Sequence, residues 1–287
     1  MESVRINKYL SEVGFCSRRE ADVLIAEGRV RINGLLPELG SKVLSGDIVS
    51  VDGRPIQSPE EAPIYIMYHK PVGITCTTDL RVDGNIIDAV AHPKRIFPIG
   101  RLDKPSEGLI LLTDDGDIVN KILRARNHHE KEYIVQVEKP ITEKFLRKMR
   151  RGVPILDTVT RPCVVEKIEE DVFRIILTQG LNRQIRRMCQ YLSYQVCRLQ
   201  RIRIMNLHLD IPVGTWRNLR EQELRDLQYL LRDSQKTYEN PPHTEENPLS
   251  MHSQEMLSPR KKEKTSPPRN NFTPKRSGKK RPFPREK

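Results

Sequence analysis

The sequence predicts an α+β protein in three parts. A small basic unit of helices and short strands spans residues 3–57, and a linker covers 58–63. A larger domain at 64–233 follows, with a mixed, mainly antiparallel sheet flanked by helices. Three observations carry this. Stretches with apolar residues at helical spacing alternate with short strand-like apolar runs. The polar segment Gln57–Pro63, bracketed by Pro59 and Pro63, interrupts that pattern and marks a boundary. From about Ser234 the apolar content collapses, so 234–287 is expected to be a disordered basic tail that cannot bury enough surface to offset chain entropy.

In the first unit Ile6, Tyr9, Leu10 and Val13 recur at helical spacing. Ser17-Arg18-Arg19-Glu20 is a capping box: the Ser17 hydroxyl accepts from the Glu20 amide and Glu20 reaches back. Ala21, Leu24 and Ile25 mark a second helix that Gly28 stops. Val30-Arg31-Ile32 alternates as a strand, Asn33-Gly34 is a hairpin turn signal, and Ile48-Val49-Ser50-Val51 is another strand. Arg5, Lys8, Arg18, Arg19, Arg29 and Arg31 can line one face of this unit. V-R-I-N-K-Y-L, C-S-R-R-E-A and G-R-V-R-I-N-G resemble an S4 RNA-binding domain. The resemblance implies a module for structured RNA, with the arginines after Ser17 near phosphates. One arginine is usually a solvated side chain, but six basic residues on so small a unit favour phosphate contact.

In the second domain Ile64–Tyr68 reads as a strand stopped by the turn Lys70-Pro71-Val72-Gly73, with Lys70 a candidate phosphate contact. Ile86, Ile87 and Val90 mark a short amphipathic helix. Phe97–Gly108 then places one carboxylate, Asp103, between Arg101 and Lys104, ahead of the apolar run Leu109–Leu112 that reads as a buried strand. Neighbouring opposite charge favours an ionised carboxylate, and one at a strand end can serve as nucleophile or base. For an isolated Asp a surface turn is the commoner meaning; the motifs downstream change that.

A helix with Ile118, Val119, Ile122 and Leu123 inward comes next. Tyr133 then opens a strand, as core ring or as a flat surface for a displaced base. His128 and His129 lack a ligand partner at helical spacing and read as polar loop residues or RNA contacts. Thr142 caps a helix running to Met149, and Val172–Leu177 is a strand. Asn182 is the predicted N-cap of a helix carrying Arg183, Arg186 and Arg187 in its first two turns. That charge opposes the helix dipole, which points to an anion nearby, either Asp103 or phosphate. Ile185 and Met188 face inward. Val196–Met205 is a strand with Arg198, Arg201 and Arg203, and Leu224, Leu227, Leu230 and Leu231 stripe a last helix.

The net charge is +12, but Pro259–Lys287 holds twelve Lys/Arg against Glu263 and Glu286, so the preceding 258 residues carry only about +2. A case for nucleic acid therefore rests on local clusters in the folded part; the tail either adds sequence-independent RNA affinity or only solubilises. Five cysteines with no C-x-x-C spacing argue against a disulfide framework or zinc site and fit a reducing cytoplasm. No signal peptide or long apolar run appears, so no membrane partner is expected.

G-R-L-D (100–103) with S-x-G-L (106–109), K-E-Y (131–133) and Q-G-L-N-R-Q-I-R-R-M (179–188) together resemble the pseudouridine synthases. With the S4-like unit in front, the chain resembles the RsuA branch of that family, and within it the members acting on 23S rRNA. Pro105 stands where the family more often has a polar residue. The resemblance implies that Asp103 is the essential aspartate, that Tyr133 stacks on the target uracil, and that Arg186 pairs with the aspartate. It also implies that Ile185 packs at the site and Arg101 lies beside the flipped nucleotide. Lys70 and Arg183 are added as substrate contacts and Arg187 as an RNA contact. The implied partner is ribosomal RNA, in 23S rRNA or the pre-ribosomal large subunit, with tRNA or 16S rRNA as the sister specificity. A non-catalytic RNA-binding or ribosome-assembly factor is the other alternative.

The chemistry fits these residue types. Isomerising uridine breaks N1–C1′, turns the uracil and joins C5 to C1′, so the base must leave its stack. A carboxylate below the sugar attacks C1′ or removes the 2′ hydrogen. No redox change occurs and no group is transferred, so neither cofactor nor metal is expected. With no apolar helix stripe left over, a monomer is expected.

Overall fold

The computed structural model describes residues 3–56, 62–124 and 127–234. The tail from residue 235 and linker residues 58–61 lie outside the described residues. The basic unit contains β1 (Val4–Arg5), α1 (Ile6–Glu12), α2 (Arg18–Ala26), β2 (Val30–Ile32), β3 (Lys42–Val43), β4 (Val49–Val51) and β5 (Arg54–Pro55). The Ser17–Glu20 capping box forms in both directions. β1 pairs with β3, and β2, β4 and β5 make a three-stranded antiparallel sheet. Ile6, Leu10, Ala21, Ile25, Val30 and Val49 form its core. Asn33 and Gly34 take the paired positive φ of a primed turn (51° and 83°). The chain beyond makes only the single bridge Ile32↔Leu35, and β2 takes β4 as its strand partner. Lys8 joins this unit to the larger domain through an ion pair with Asp117 at 2.7 Å.

The larger domain runs β6 (Tyr65–Lys70), α3 (Ile86–Val90), β7 (Phe97–Ile99), β8 (Glu107–Thr113), α4 (Gly116–Leu123) and β9 (Lys131–Val137). It continues with α5 (Glu143–Arg151), β10 (Pro154–Ile155), β11 (Thr158–Val159), β12 (Val164–Lys167), β13 (Val172–Leu177) and α6 (Gln184–Tyr191). β14 (Val196–Ile204), β15 (Leu207–His208), β16 (Trp216–Asn218) and α7 (Glu221–Leu230) complete it. The main sheet has the order β12-β13-β9-β14-β8-β6-β16, with β15 on β14 and β7 on β8. Every pairing is antiparallel except β14 with β8, held at Gln200↔Glu107 and Arg201↔Gly108.

Helices cover both faces. Ile118, Ile122, Leu227 and Leu231 of α4 and the α7 end pack with Leu109 and Leu111, while Ile86 and Val90 of α3 pack with Ile110 and Leu112. β8 is therefore buried on both sides, which is why it reads as an unbroken apolar run. On the far half, Phe145 and Met149 of α5 and Ile185 and Met188 of α6 meet Val135, Phe173 and Ile175. Each such side chain stabilises the fold by about 1.5–3 kcal/mol. The expected α7 stripe is narrower than its four leucines: Leu227 and Leu231 are buried, and Leu230 faces solvent. No helix among the described residues is long and apolar enough to cross a membrane.

Candidate active site

Asp103 sits in the loop of the β7–β8 hairpin, held by one hydrogen bond within the loop and two to the segment around Gly73–Cys76. The Ser106 amide donates to the Asp103 carbonyl at 2.9 Å, closing a turn. The Gly73 amide donates to the Lys104 carbonyl at 2.9 Å, and the Leu102 amide to Cys76 Sγ at 3.4 Å. At the loop's far end Gly108 (φ +116°) lies so close to β14 that a Cβ would stand 2.3 Å from the Arg201 carbonyl oxygen. Only glycine permits that approach. It sets Gly108 at the start of β8 opposite Arg201 of β14, which in turn lies opposite Tyr133 of β9.

The other wall is the start of α6. Its N-cap is Arg183, left-handed at φ 51° and ψ 35° with no side-chain cap, one residue later than the predicted Asn182. The Leu181 amide is satisfied by Gln184 Oε1 at 3.0 Å. This later start exchanges the roles of two arginines. Arg183 Nη1 lies 3.5 Å from Asp103 Oδ2. Arg186 instead donates through Nη2 to the Pro105 carbonyl (2.9 Å) and Ser106 Oγ (3.2 Å), and through Nη1 to the Val196 carbonyl (3.2 Å). The aspartate pairing expected of Arg186 is thus made by Arg183, while Arg186 clamps the loop behind Asp103. Burial, and then the neighbouring Arg183 charge, pull the Arg186 pKa down against the pull of Asp103. The Arg183–Asp103 pair is long and its side chains are 44% and 35% exposed, so it contributes about 0–1 kcal/mol and leaves the carboxylate approachable.

The floor comes from β9 and β14. Tyr133 is half-buried. Lys131, two residues earlier, shares the Tyr133 face of β9, and Arg201 is the direct cross-strand partner of Tyr133. Arg201 donates Nε to the Leu109 carbonyl at 2.7 Å, and its buried Nη2 has no partner. Lys131 donates to the His129 carbonyl at 3.2 Å; burial and then Arg201 pull its pKa down to about 8. Glu132 lies on the opposite face, bound by Arg174 and Arg203 at 2.6 Å each. Asp103, Arg101, Tyr133, Arg183, Ile185 and Arg186 all line one cleft of ≈ 390 Å³, with Lys131 and Arg201 beneath. That volume falls in the range of small-molecule sites.

Several assigned residues lie elsewhere. Lys70 is fully buried and donates to the Pro71 and Ile74 carbonyls at 2.7 and 2.9 Å, so it does not meet substrate as expected; the strand carries its ammonium inward before the turn. In the S4-like unit, Lys8 is paired with Glu12 and Asp117, and Arg29 with Asp52 and Glu27, so both already have anionic partners within the protein and are less available to phosphates than expected. Arg5, Arg18 and Arg19 are exposed, with no side-chain partner among the described residues. Arg31 donates to the Gly34 carbonyl and Arg187 to both oxygens of Asn182. Sequence reasoning missed Lys131 and Arg201 as site residues. The alternation around Tyr133 could have indicated the first; the cross-strand pairing that places the second has no local signal. Among the described residues no group of three or more His, Cys, Asp or Glu is placed to hold a metal ion.

Comparison with known proteins matches residues 64–191 to the family described as RNA pseudouridylate synthase and residues 4–49 to the S4 domain. The dual-specificity RNA pseudouridine synthase RluF of Salmonella typhi is 58% identical over 235 residues, covering 81% of each chain. RluF of Escherichia coli K12 is 57% identical over 235 residues, again 81% of each. The ribosomal large subunit pseudouridine synthase B of Bacillus subtilis is 33% identical over 236 residues, covering 79% of this chain and 96% of the relative. A crystal structure of a pseudouridylate synthase aligns with a TM-score of 0.58 and 27% identity, over 78% of this chain and 99% of that one.

Proposed function

Since the chain belongs to the RNA pseudouridine synthases and carries an S4 domain ahead of the catalytic one, we propose that it isomerises uridine in 23S rRNA through Asp103. The observation that carries this is the convergence of Asp103, Tyr133 and Arg183 on one cleft from three distant parts of the chain. The relatives' name, a dual-specificity enzyme, supports a second RNA substrate, for which a tRNA is the candidate.

In this reading the target nucleotide leaves its helix and its uracil enters the cleft. The Asp103 carboxylate acts below the ribose, at C1′ as nucleophile or at C2′ as base. Arg183 orients it, and Arg186 fixes the loop that carries it. Tyr133 offers a ring surface on which the freed base turns before C5 meets C1′. The exposed Arg101 and the free Arg5, Arg18 and Arg19 take phosphates of the surrounding RNA.

The test is site-resolved pseudouridine mapping in total RNA from a deletion strain, complemented with wild type or with Asp103→Asn. One pseudouridine in 23S rRNA should vanish on deletion, return with wild type and not with the variant, while the variant still binds RNA. Restoration by Asp103→Asn removes the aspartate from the reaction. A site lost only from 16S rRNA or tRNA overturns the 23S assignment.

A further inference from the structure

We infer that Lys131 and Arg201 form a cationic floor that carries the negative charge of the uracil while it is detached from the ribose. This rests on the isomerisation proposed above and adds two residues that meet the base itself. The cleft is lined by five cations, Arg101, Lys131, Arg183, Arg186 and Arg201, against one carboxylate, Asp103. Arg101 and Arg183 are exposed, a placement suited to phosphates of a bound RNA. Lys131 and Arg201 are 9% and 4% exposed, on the sheet face that holds Tyr133.

Two buried cations side by side with no carboxylate are costly unless something else supplies negative charge. Neither is satisfied within the protein: Lys131 has one carbonyl partner, and Arg201 Nη2 has none. Structural arginines on the opposite face show the contrast. Arg174 and Arg203 both close on Glu132 at 2.6 Å.

The reaction generates the missing charge. When C1′–N1 breaks, the electron pair stays on N1 and the uracil becomes an anion with charge spread over N1, O2 and O4. At the sugar, an Asp103 oxygen forms the new bond to C1′, or it takes the C2′ proton as C1′=C2′ forms. After the ring turns, C5 attacks C1′, and the Asp103 bond or proton transfer reverses. The proton on C5 is then lost and one is gained at N1, so the product is a neutral isomer. Lys131 and Arg201 donors face the base throughout, and their benefit is greatest when the charge is largest.

The test uses the full-length protein and the RNA identified by the mapping above, in single-turnover and steady-state assays. Lys131→Met should lower kcat about 10²–10³-fold, as loss of a charge-stabilising donor does, with KM changed less than about threefold. Lys131→Arg should restore most of kcat. The wild-type rate should fall above about pH 8 as Lys131 loses its proton, and Lys131→Arg should move that limb upward. Beside Lys131 stand Arg201 and His129, whose carbonyl it binds and whose ring pKa is pushed down by burial and then by the Lys131 charge; Tyr133, Asp103, Arg101, Arg183 and Arg186 line the same cleft. A raised KM with unchanged kcat would mean a phosphate contact and overturn the inference. So would an alkaline limb that stays in place in Lys131→Arg, a readout that holds even if Lys131→Met does not fold. A wild type that forms no pseudouridine in any RNA instead refutes the isomerisation itself.

Discussion

Replacing Gly108 with alanine probes the one parallel strand pairing of the main sheet. At φ +116° an L residue is strained by about 1–3 kcal/mol. The new methyl would also meet the Arg201 carbonyl oxygen at 2.3 Å and the Arg201 nitrogen at 2.6 Å. Both are backbone atoms and cannot rotate away, so β8 and β14 must part at a further cost of about 1–3 kcal/mol. The sum is about 2–6 kcal/mol, and at roughly 2–4 °C per kcal/mol for a protein of this size Tm should drop by roughly 5–20 °C. Moving β8 also withdraws Asp103 from Tyr133, and a displacement of about 1 Å costs on the order of 10²-fold in rate. Gly116→Ala is the matched control: its nearest new contact is Arg18 Nη2 at 3.9 Å, and it opens α4. There Tm should hold or rise, since alanine favours a helix by about 0.5–1 kcal/mol. Thermal unfolding followed by circular dichroism decides it. A Gly108→Ala protein melting within about 2 °C of wild type would show that the strand approach needs no glycine.

Two further outcomes follow from charge placement. Burial pushes the Glu132 carboxyl up, but hydrogen bonds from Arg174 and Arg203 outweigh it and hold it below the ordinary carboxylate range. Its contribution is therefore complete above that range and is lost as pH falls through the depressed folded value. Glu132→Gln should cost about 3 kcal/mol at neutral pH and flatten the acid side of a Tm-versus-pH curve; an unchanged acid side would exclude Glu132 as its source. Arg18→Ala with Arg19→Ala should reduce the slope of log affinity against log salt for RNA by up to about two, while Arg29→Ala, already bound to Asp52 and Glu27, should change it less. Equal slopes for all three proteins would refute the assignment of phosphates to the α2 start.

Much of this could be read from residue order because the informative signals are local. The capping box at Ser17, the apolar run of β8 and the motifs around Asp103, Tyr133 and Arg186 each sit within about a dozen residues. What escaped depends on long-range placement. Arg183 rather than Arg186 reaches Asp103: Arg183 stands ahead of α6 as a left-handed N-cap, a backbone placement that the residue order does not signal, while Arg186 inside the helix reaches Pro105 and Ser106. Lys70 reads as a turn lysine, yet its strand points it under the loop. Lys8 and Arg29 look available until the fold brings Asp117 and Asp52 beside them. Arg201 gains its place only when β14 pairs with β9.

The ties around Asp103 also bear on when the cleft appears during folding. Asp103 meets a partner 80 residues away, Pro105 one 81 away, and Arg201 reaches back 92 to Leu109. The first two cannot close until the chain has been made through the start of α6, and the third waits for β14; such distant closures slow the search for the native state. Arg5, Arg18 and Arg19 leave the ribosome ahead of all these partners, so a nascent chain presents the arginines proposed to bind phosphates well before its cleft is assembled.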